Sequence, residues 1–137
     1  MAVFYADSSA LVKLVREEAE SAALRTYLAA ADIVSSELIL TEIPRAVHRV
    51  VAQDPALPRD LLLERAGEVV DAIALLPLDR AVLAGAGALA EPALRALDAI
   101  HVASAGGLGP IEAFVTYDER QAAAARLAGL RTMAPGA

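Results

Sequence analysis

The chain has 137 residues, with 12 Lys and Arg against 18 Asp and Glu, and so carries a net charge of −6. That length suits a single domain over residues 1–137, large enough to bury about two-thirds of its unfolded surface. Being 57% hydrophobic and free of cysteine, it is neither a disordered acidic tail nor a disulfide, zinc-thiolate or iron–sulfur protein. Two histidines, His48 and His101, are too few for a multi-histidine zinc site within one chain. The acidic balance argues against nucleic-acid binding over the whole surface and leaves room only for a local arginine rim. Arginine is well represented, whereas Lys13 is the sole lysine, which excludes any mechanism needing a lysine later in the chain. The opening MAVFYADSSA has no basic n-region, and no uncharged apolar run is long enough to cross a bilayer, so the expected location is cytoplasmic.

In chain order, Val3–Ala6 reads as a strand that ends at Asp7-Ser8-Ser9, any of which can cap the helix implied by Ala10, Leu11, Leu14 and Val15. Residues 17–31 predict a second helix with acids at its start, and Asp32–Ser35 a short second strand. Residues 36–52 predict an amphipathic helix carrying Pro44 in an early turn or at a kink. After the break at Asp54–Pro58, residues 59–71 are helical again, and Ala72–Leu78 suits a third strand. A helix from about Asp79 to Ala90 is followed by one starting near Pro92 and stopping at Gly106-Gly107. Ala113–Thr116 is the fourth strand, residues 119–128 the last long helix, Gly129 its terminator, and Leu130–Met133 a short final strand. Strands separated by helices of this length require crossovers. The expected class is α/β: a three-layer α/β/α sandwich around a central, mainly parallel sheet of four to five strands.

Four acids are conspicuous for their neighbours. Asp7 directly follows the first strand, and Asp118 follows the fourth after one tyrosine. Glu42 lies within Ile39–Ile43, and Asp98 is flanked by Ala96-Leu97 and Ala99-Ile100. Each has an ordinary explanation: a helix cap for Asp7 and Asp118, a solvated helix acid near Arg45 and Arg49 for Glu42, structural burial for Asp98. Their shared address is what sets them apart, because ligands of open parallel sheets bind at the carboxyl ends of the strands. Four carboxylates gathered there need protons or cations as compensation. The hard cation that takes oxygen ligands and keeps several waters is Mg²⁺, with Mn²⁺ as its substitute. Such a site suits phosphodiester hydrolysis.

The assembled pattern resembles the PIN-domain ribonucleases, and within them the VapC toxins of bacterial toxin–antitoxin pairs. The resemblance rests on Val3-Phe4-Tyr5-Ala6-Asp7-Ser8-Ser9-Ala10-Leu11-Val12-Lys13-Leu14, on Thr41-Glu42-Ile43, on Leu97-Asp98-Ala99-Ile100-His101-Val102-Ala103-Ser104-Ala105, and on Val115-Thr116-Tyr117-Asp118-Glu119-Arg120. It spans nearly the whole chain in order, with Pro44 a departure that bears on the aim of Glu42. It implies a PIN-like fold and endonucleolytic cleavage of RNA by metal-activated water, leaving a 5′-phosphate and a 3′-hydroxyl. Asp7 and Asp98 are then the principal Mg²⁺ ligands and Asp118 completes the metal site, directly or through water. Glu42 binds a second metal or orients the attacking water, and Ser8 and Thr116 hold carboxylate or phosphate from behind. Lys13, Arg16, Arg45, Arg80 and Arg120 are candidate RNA contacts, and His101 is expected to pack or hydrogen-bond rather than catalyse. The resemblance further implies a cognate VapB-type antitoxin that covers the acidic site, and a homodimeric toxin.

Other doubly wound folds fit less well. A receiver domain, a haloacid-dehalogenase-type phosphatase and a P-loop nucleotidase each need a lysine that is missing here. Gly85-Ala86-Gly87-Ala88-Leu89-Ala90 formally fits a dinucleotide fingerprint, but it falls inside a helix instead of at a strand-to-helix turn, and is read as close helix packing. The alternative from a different class is a non-catalytic PIN-like module that binds protein or co-represses transcription only with its antitoxin; all four acids being present favours the enzyme.

Overall fold

In the computed structural model, which describes residues 2–137, β1 (Val3–Ala6) pairs in parallel with β2 (Asp32–Ser36) on one side and with β4 (Ala113–Val115) on the other. Outside these, β3 (Ala74–Leu76) joins β2 and β5 (Thr132–Met133) joins β4, also in parallel. The order is therefore β3-β2-β1-β4-β5. The chain moves outward from β1 through β2 to β3, then crosses back to the far side of β1. The switch point lies between β1 and β4, where helices leaving the two strand ends diverge and open a crevice.

The central strands are buried on both faces, which is why they read as continuous apolar runs instead of alternating ones. The alternation is present in space. Phe4 and Ala6 of β1, with Ala113 and Val115 of β4, belong to one core, while Tyr5 and Phe114 belong to the other. Tyr5 and Phe114 stack with ring centroids 5.1 Å apart. The first core is closed by α1 (Ser8–Val15), α2 (Ser21–Leu28), α3 (Ile39–Gln53) and α4 (Arg59–Asp71), through Leu11, Leu24, Ile43, Val47 and Leu62 among others. The second is closed mainly by α6 (Ala96–Gly107) and α7 (Glu119–Leu127), through Val102, Ala105, Ala124 and Ala125, with α5 (Arg80–Gly87) packed on α6. This is the three-layer α/β/α arrangement expected, with five strands.

Several boundaries differ from expectation, each for a tertiary reason. The second helix begins at Ser21, not residue 17, because Lys13 draws Glu18 and Glu20 into ion pairs at 2.7 and 2.9 Å. Ser21 fixes that turn by accepting from the Glu18 N–H at 2.8 Å and donating to the Lys13 carbonyl at 2.7 Å. The third helix starts at Ile39 instead of residue 36, since β2 runs one residue longer, to Ser36. The third strand is only Ala74–Leu76, matching the short stretch of β2 it pairs with. The sixth helix starts at Ala96, not near Pro92: Glu91 instead holds a turn, its side chain accepting from the Ala93 N–H at 3.2 Å. The fourth and fifth strands are each shorter than expected, by one and two residues.

Pro44 sits within α3, where it has no N–H to donate to the Leu40 carbonyl. The glycine pair of the formal dinucleotide fingerprint lies in α5, with the space a Gly85 Cβ would fill 3.8 Å from the Ala103 Cβ of α6. That is a helix-packing contact, as expected. Gly129, at φ 87°, ends α7 in the left-handed conformation that glycine adopts without strain.

Candidate functional site

Asp7 is the residue on which the site is built. It follows β1 at the switch point, caps α1 by accepting from the Ala10 N–H at 3.1 Å, and is 1% exposed. Three further donors reach it. The Ser9 hydroxyl donates to Oδ1 at 2.7 Å and the Thr116 hydroxyl to Oδ2 at 2.5 Å. The Gln121 carboxamide, in the orientation that satisfies both its oxygen and its nitrogen, donates to Oδ2 at 3.3 Å. Burial pushes the Asp7 carboxyl above its usual range, opposed by the bonds from Ser9 and Thr116 and by nearby His101. A buried acid held by neutral donors and paired with no base is costly in the free protein.

The other three acids approach from different elements. Asp98, in the first turn of α6, receives the same Gln121 NH₂ at 2.9 Å, so one carboxamide bridges Asp7 and Asp98. Its carboxyl is raised by burial, then by the charges of Asp118 and Glu42, with His101 and Arg95 opposing. Asp118 caps α7, its Oδ1 accepting from the N–H groups of Arg120 and Gln121 at 2.9 and 3.2 Å. Its own N–H donates to Thr116 Oγ1 at 3.1 Å, so Thr116 links Asp118 to Asp7.

Glu42, in the first turn of α3, is held from behind by His101, whose Nε2 lies 2.6 Å from Glu42 Oε1. The other ring nitrogen, Nδ1, is 2.7 Å from the Tyr5 hydroxyl. Burial drives the Tyr5 phenol far up from its ordinary value, so it is a fixed O–H donor. The imidazole is thereby held between the Tyr5 hydroxyl at Nδ1 and the Glu42 carboxylate at Nε2. His101 is itself 1% exposed and shares a helical face with Asp98.

Serine and threonine thus divide the work differently from the sequence expectation. Thr116 does hold Asp7. The serine beside it is Ser9 and not Ser8: Ser9 bonds Asp7, approaches the Thr116 hydroxyl at 3.3 Å, and accepts from the Tyr117 N–H at 2.9 Å. Ser8, with Ser9, Thr41, Glu42, Arg45, Arg49 and Leu97, instead lines a groove of about 450 Å³ between α1 and α3, to which Glu42 contributes.

The basic candidates also separate. Arg45 lines that groove, together with Arg49, which the sequence reading passed over although it lies one helical turn further along. Arg120 is exposed in the first turn of α7 beside Asp118. Lys13 is engaged within the protein. Its ammonium is tied to Glu18 and Glu20 and sits 4.8 Å from the Tyr117 ring centroid, with a side chain 12% exposed. Arg16 caps the C-terminus of α1, the end away from Asp7, and Arg80 opens α5 beyond the edge strand β3.

The four acids converge without closing. Among the described residues, no three His, Asp or Glu side chains form a ready-made cation cage, and no ion pair involves Asp7, Asp98 or Asp118. What the residues offer is an all-oxygen donor set, desolvated and mutually repulsive, oriented by hydroxyls, an imidazole and a carboxamide. That chemistry fits a hard divalent cation that keeps part of its water shell.

The sequence matches the family described as PIN domain over residues 4–127. It is 37% identical over 141 residues to Ribonuclease VapC35 of Mycobacterium tuberculosis, spanning 98% of both chains. Ribonuclease VapC46 of the same organism is 41% identical over 138 residues, spanning 98% of this chain and 99% of that protein. Among solved structures, PAE2754 from Pyrobaculum aerophilum has the same fold, with a TM-score of 0.67 at 20% identity over 96% of this chain and 83% of that one.

Proposed function

The chain belongs to the PIN-domain family, among the VapC proteins, and on that basis we propose that it is the toxin of a VapBC-type toxin–antitoxin pair, a divalent-metal-dependent endoribonuclease. The single observation that carries this reading is the convergence of Asp7, Asp98, Asp118 and Glu42 at the β1/β4 switch point, oriented by neutral donors and by no fixed cation. The relatives named as ribonucleases supply the substrate class.

Asp7 and Asp98 are assigned as the principal ligands of Mg²⁺, or of Mn²⁺ in its place, with Asp118 completing the set through the oxygen its capping bonds leave free. When bound, the cation would supply neutralisation of phosphate charge and acidification of a water. The protein's own residues do the rest. Glu42, anchored by His101, is aimed at the cleft as the group that orients the attacking water and accepts a proton at its carboxylate. Ser9 and Thr116 hold Asp7 in one orientation, so that the acid does not have to be ordered during catalysis. Arg45 and Arg49, which line the groove beside Glu42, are assigned to the phosphates on one side of the scissile bond, and Arg120, next to Asp118 in the first turn of α7, to the other.

The same reading extends to assembly and location. The whole of residues 1–137 works as one domain, as a homodimer, on RNA in the cytoplasm, and a cognate VapB-type antitoxin covers the acidic groove. No described helix is long and apolar enough to cross a membrane.

The test is end-labelled cleavage of total cellular RNA by antitoxin-free protein with Mg²⁺ or Mn²⁺, with an EDTA control and the Asp98→Asn variant alongside. Discrete fragments that need the metal and vanish in the variant are expected. No cleavage of any RNA fraction by folded protein would move the reading to a binding module that acts only with its antitoxin.

A further inference from the structure

Gln121 is out of place on its helix. It lies in the first turn of α7, three residues after the cap Asp118, and is 2% exposed, while its inward-facing companions Ala122, Ala124 and Ala125 are apolar. Burying a carboxamide is unfavourable by a few kcal/mol unless its polar atoms are bonded. Here the NH₂ group meets that requirement with two acids from separate elements, Asp98 Oδ1 at 2.9 Å from α6 and Asp7 Oδ2 at 3.3 Å from the β1–α1 junction. We propose that Gln121 is the positioning residue that ties Asp7 to Asp98 and thereby sets the site's affinity for a divalent cation.

The inference rests on the reading of Asp7 and Asp98 as cation ligands and adds how two mutually repulsive acids are kept together before the cation arrives. The choice of side chain has a chemical reason. A lysine or arginine at this position would neutralise the acids and compete with the metal. An aliphatic residue would leave Asp98 free to swing toward water, away from the firmly held Asp7. A carboxamide bridges them through two N–H groups without adding charge, and leaves each carboxylate lone pairs with which to bind. Metal ligands held by such outer partners commonly lose about 10–100-fold in affinity when the partner is removed.

The experiment is Mn²⁺ binding to the purified, antitoxin-free chain, read by electron paramagnetic resonance of the free ion and by the metal-induced shift in melting temperature. Four proteins are compared: wild type, Gln121→Met, Gln121→Glu and Asp98→Asn. Gln121→Met keeps the volume and removes the donors, and is expected to weaken Mn²⁺ binding about 10–100-fold. Gln121→Glu replaces the bridge with a further acid. Its metal-free form is expected to melt lower than wild type and to gain more from Mn²⁺ than wild type does. A residue that only fills the core would lower the melting temperature of both variants and leave the Mn²⁺ affinity and the metal-induced shift unchanged. That result overturns the proposal, and if Gln121→Met does not fold, an unchanged shift in Gln121→Glu overturns it equally. Wild-type binding that survives in Gln121→Met but is lost in Asp98→Asn refutes the role of Gln121 and leaves the site intact. Absence of Mn²⁺ binding by wild type, or its persistence in Asp98→Asn, refutes the site and the proposal together.

Discussion

Two strand-to-helix junctions of this molecule are written in the same local grammar and have different uses. At the end of β1, Asp7 takes extended backbone angles (φ −83°, ψ 179°) and its side chain accepts from the N–H three residues on, Ala10. After β3, Asp79 does the same (φ −89°, ψ 173°), accepting from Val82 at 2.9 Å. The caps are chemically equivalent. Asp79 stands at the edge of the sheet, exposed, with its cap as its whole role. Asp7 stands beside the switch point, where Thr116 and Gln121 reach it from the distant β4–α7 segment and join Ser9 of α1. An acid after a strand is thus a common structural device, and strand order decides which of them gathers further polar partners.

That contrast can be broken most severely by exchanging its two members. Asp7→Asn is expected to reduce metal-dependent RNA cleavage by about 10²–10³-fold, the scale seen when a group acting on transition-state charge is lost. Asp79→Asn should leave cleavage unchanged in the same assay. A smaller effect sharpens the picture at Glu42. His101→Leu removes the anchor of that carboxylate and is expected to lower kcat by about 10–100-fold with little change in KM, whereas His101→Gln, which can still donate an N–H, recovers part of the loss.

Next in size is a gain of stability. The folded-state carboxyl of Asp98 lies above its ordinary 3.8 because of burial and the neighbouring charges of Asp118 and Glu42. The native protein therefore binds this proton more tightly than the unfolded chain does. Metal-free stability falls as pH rises from about 4 through the raised value, and stays low above it. Asp98→Asn should flatten that fall and raise the melting temperature near neutral pH by roughly 2–4 °C, measured in EDTA. Adding Mg²⁺ to wild type should narrow the gap, and should leave the variant unmoved. The smallest expected effect is at the edge junction, where Asp79→Ala costs about 1 kcal/mol in denaturant unfolding, the ordinary value of a helix cap.

The parts of the fold that were legible in the sequence are those with local causes. The first strand and the helix over residues 59–71 were placed to the residue, because apolar runs and breakers act on their own segment. Boundaries moved where a distant partner intervened, as when Lys13 drew Glu18 and Glu20 out of a helix their own sequence favours. The site shows the same division. Its four acids are conspicuous because a charge among apolar residues is anomalous in any local window. Ser9 could have been preferred to Ser8 only by knowing the phase of α1 against the end of β4, just past which Thr116 and Tyr117 lie. Gln121 gave no signal at all. Among polar and alanine neighbours it looks like a solvated helix residue, and only the crossing of α7 over α6 reveals its two acidic partners.

The lone lysine has a consequence for handling the molecule. Lys13 is the chain's only side-chain amine, and it is closed off by two carboxylates and an aromatic ring, the same ring whose hydroxyl donates to the Pro135 carbonyl at 2.8 Å. Acylating reagents can reach that amine only when the turn between α1 and α2 lets go. The rate of acylation at Lys13 is therefore a clock for local opening, one that leaves every arginine of the groove untouched.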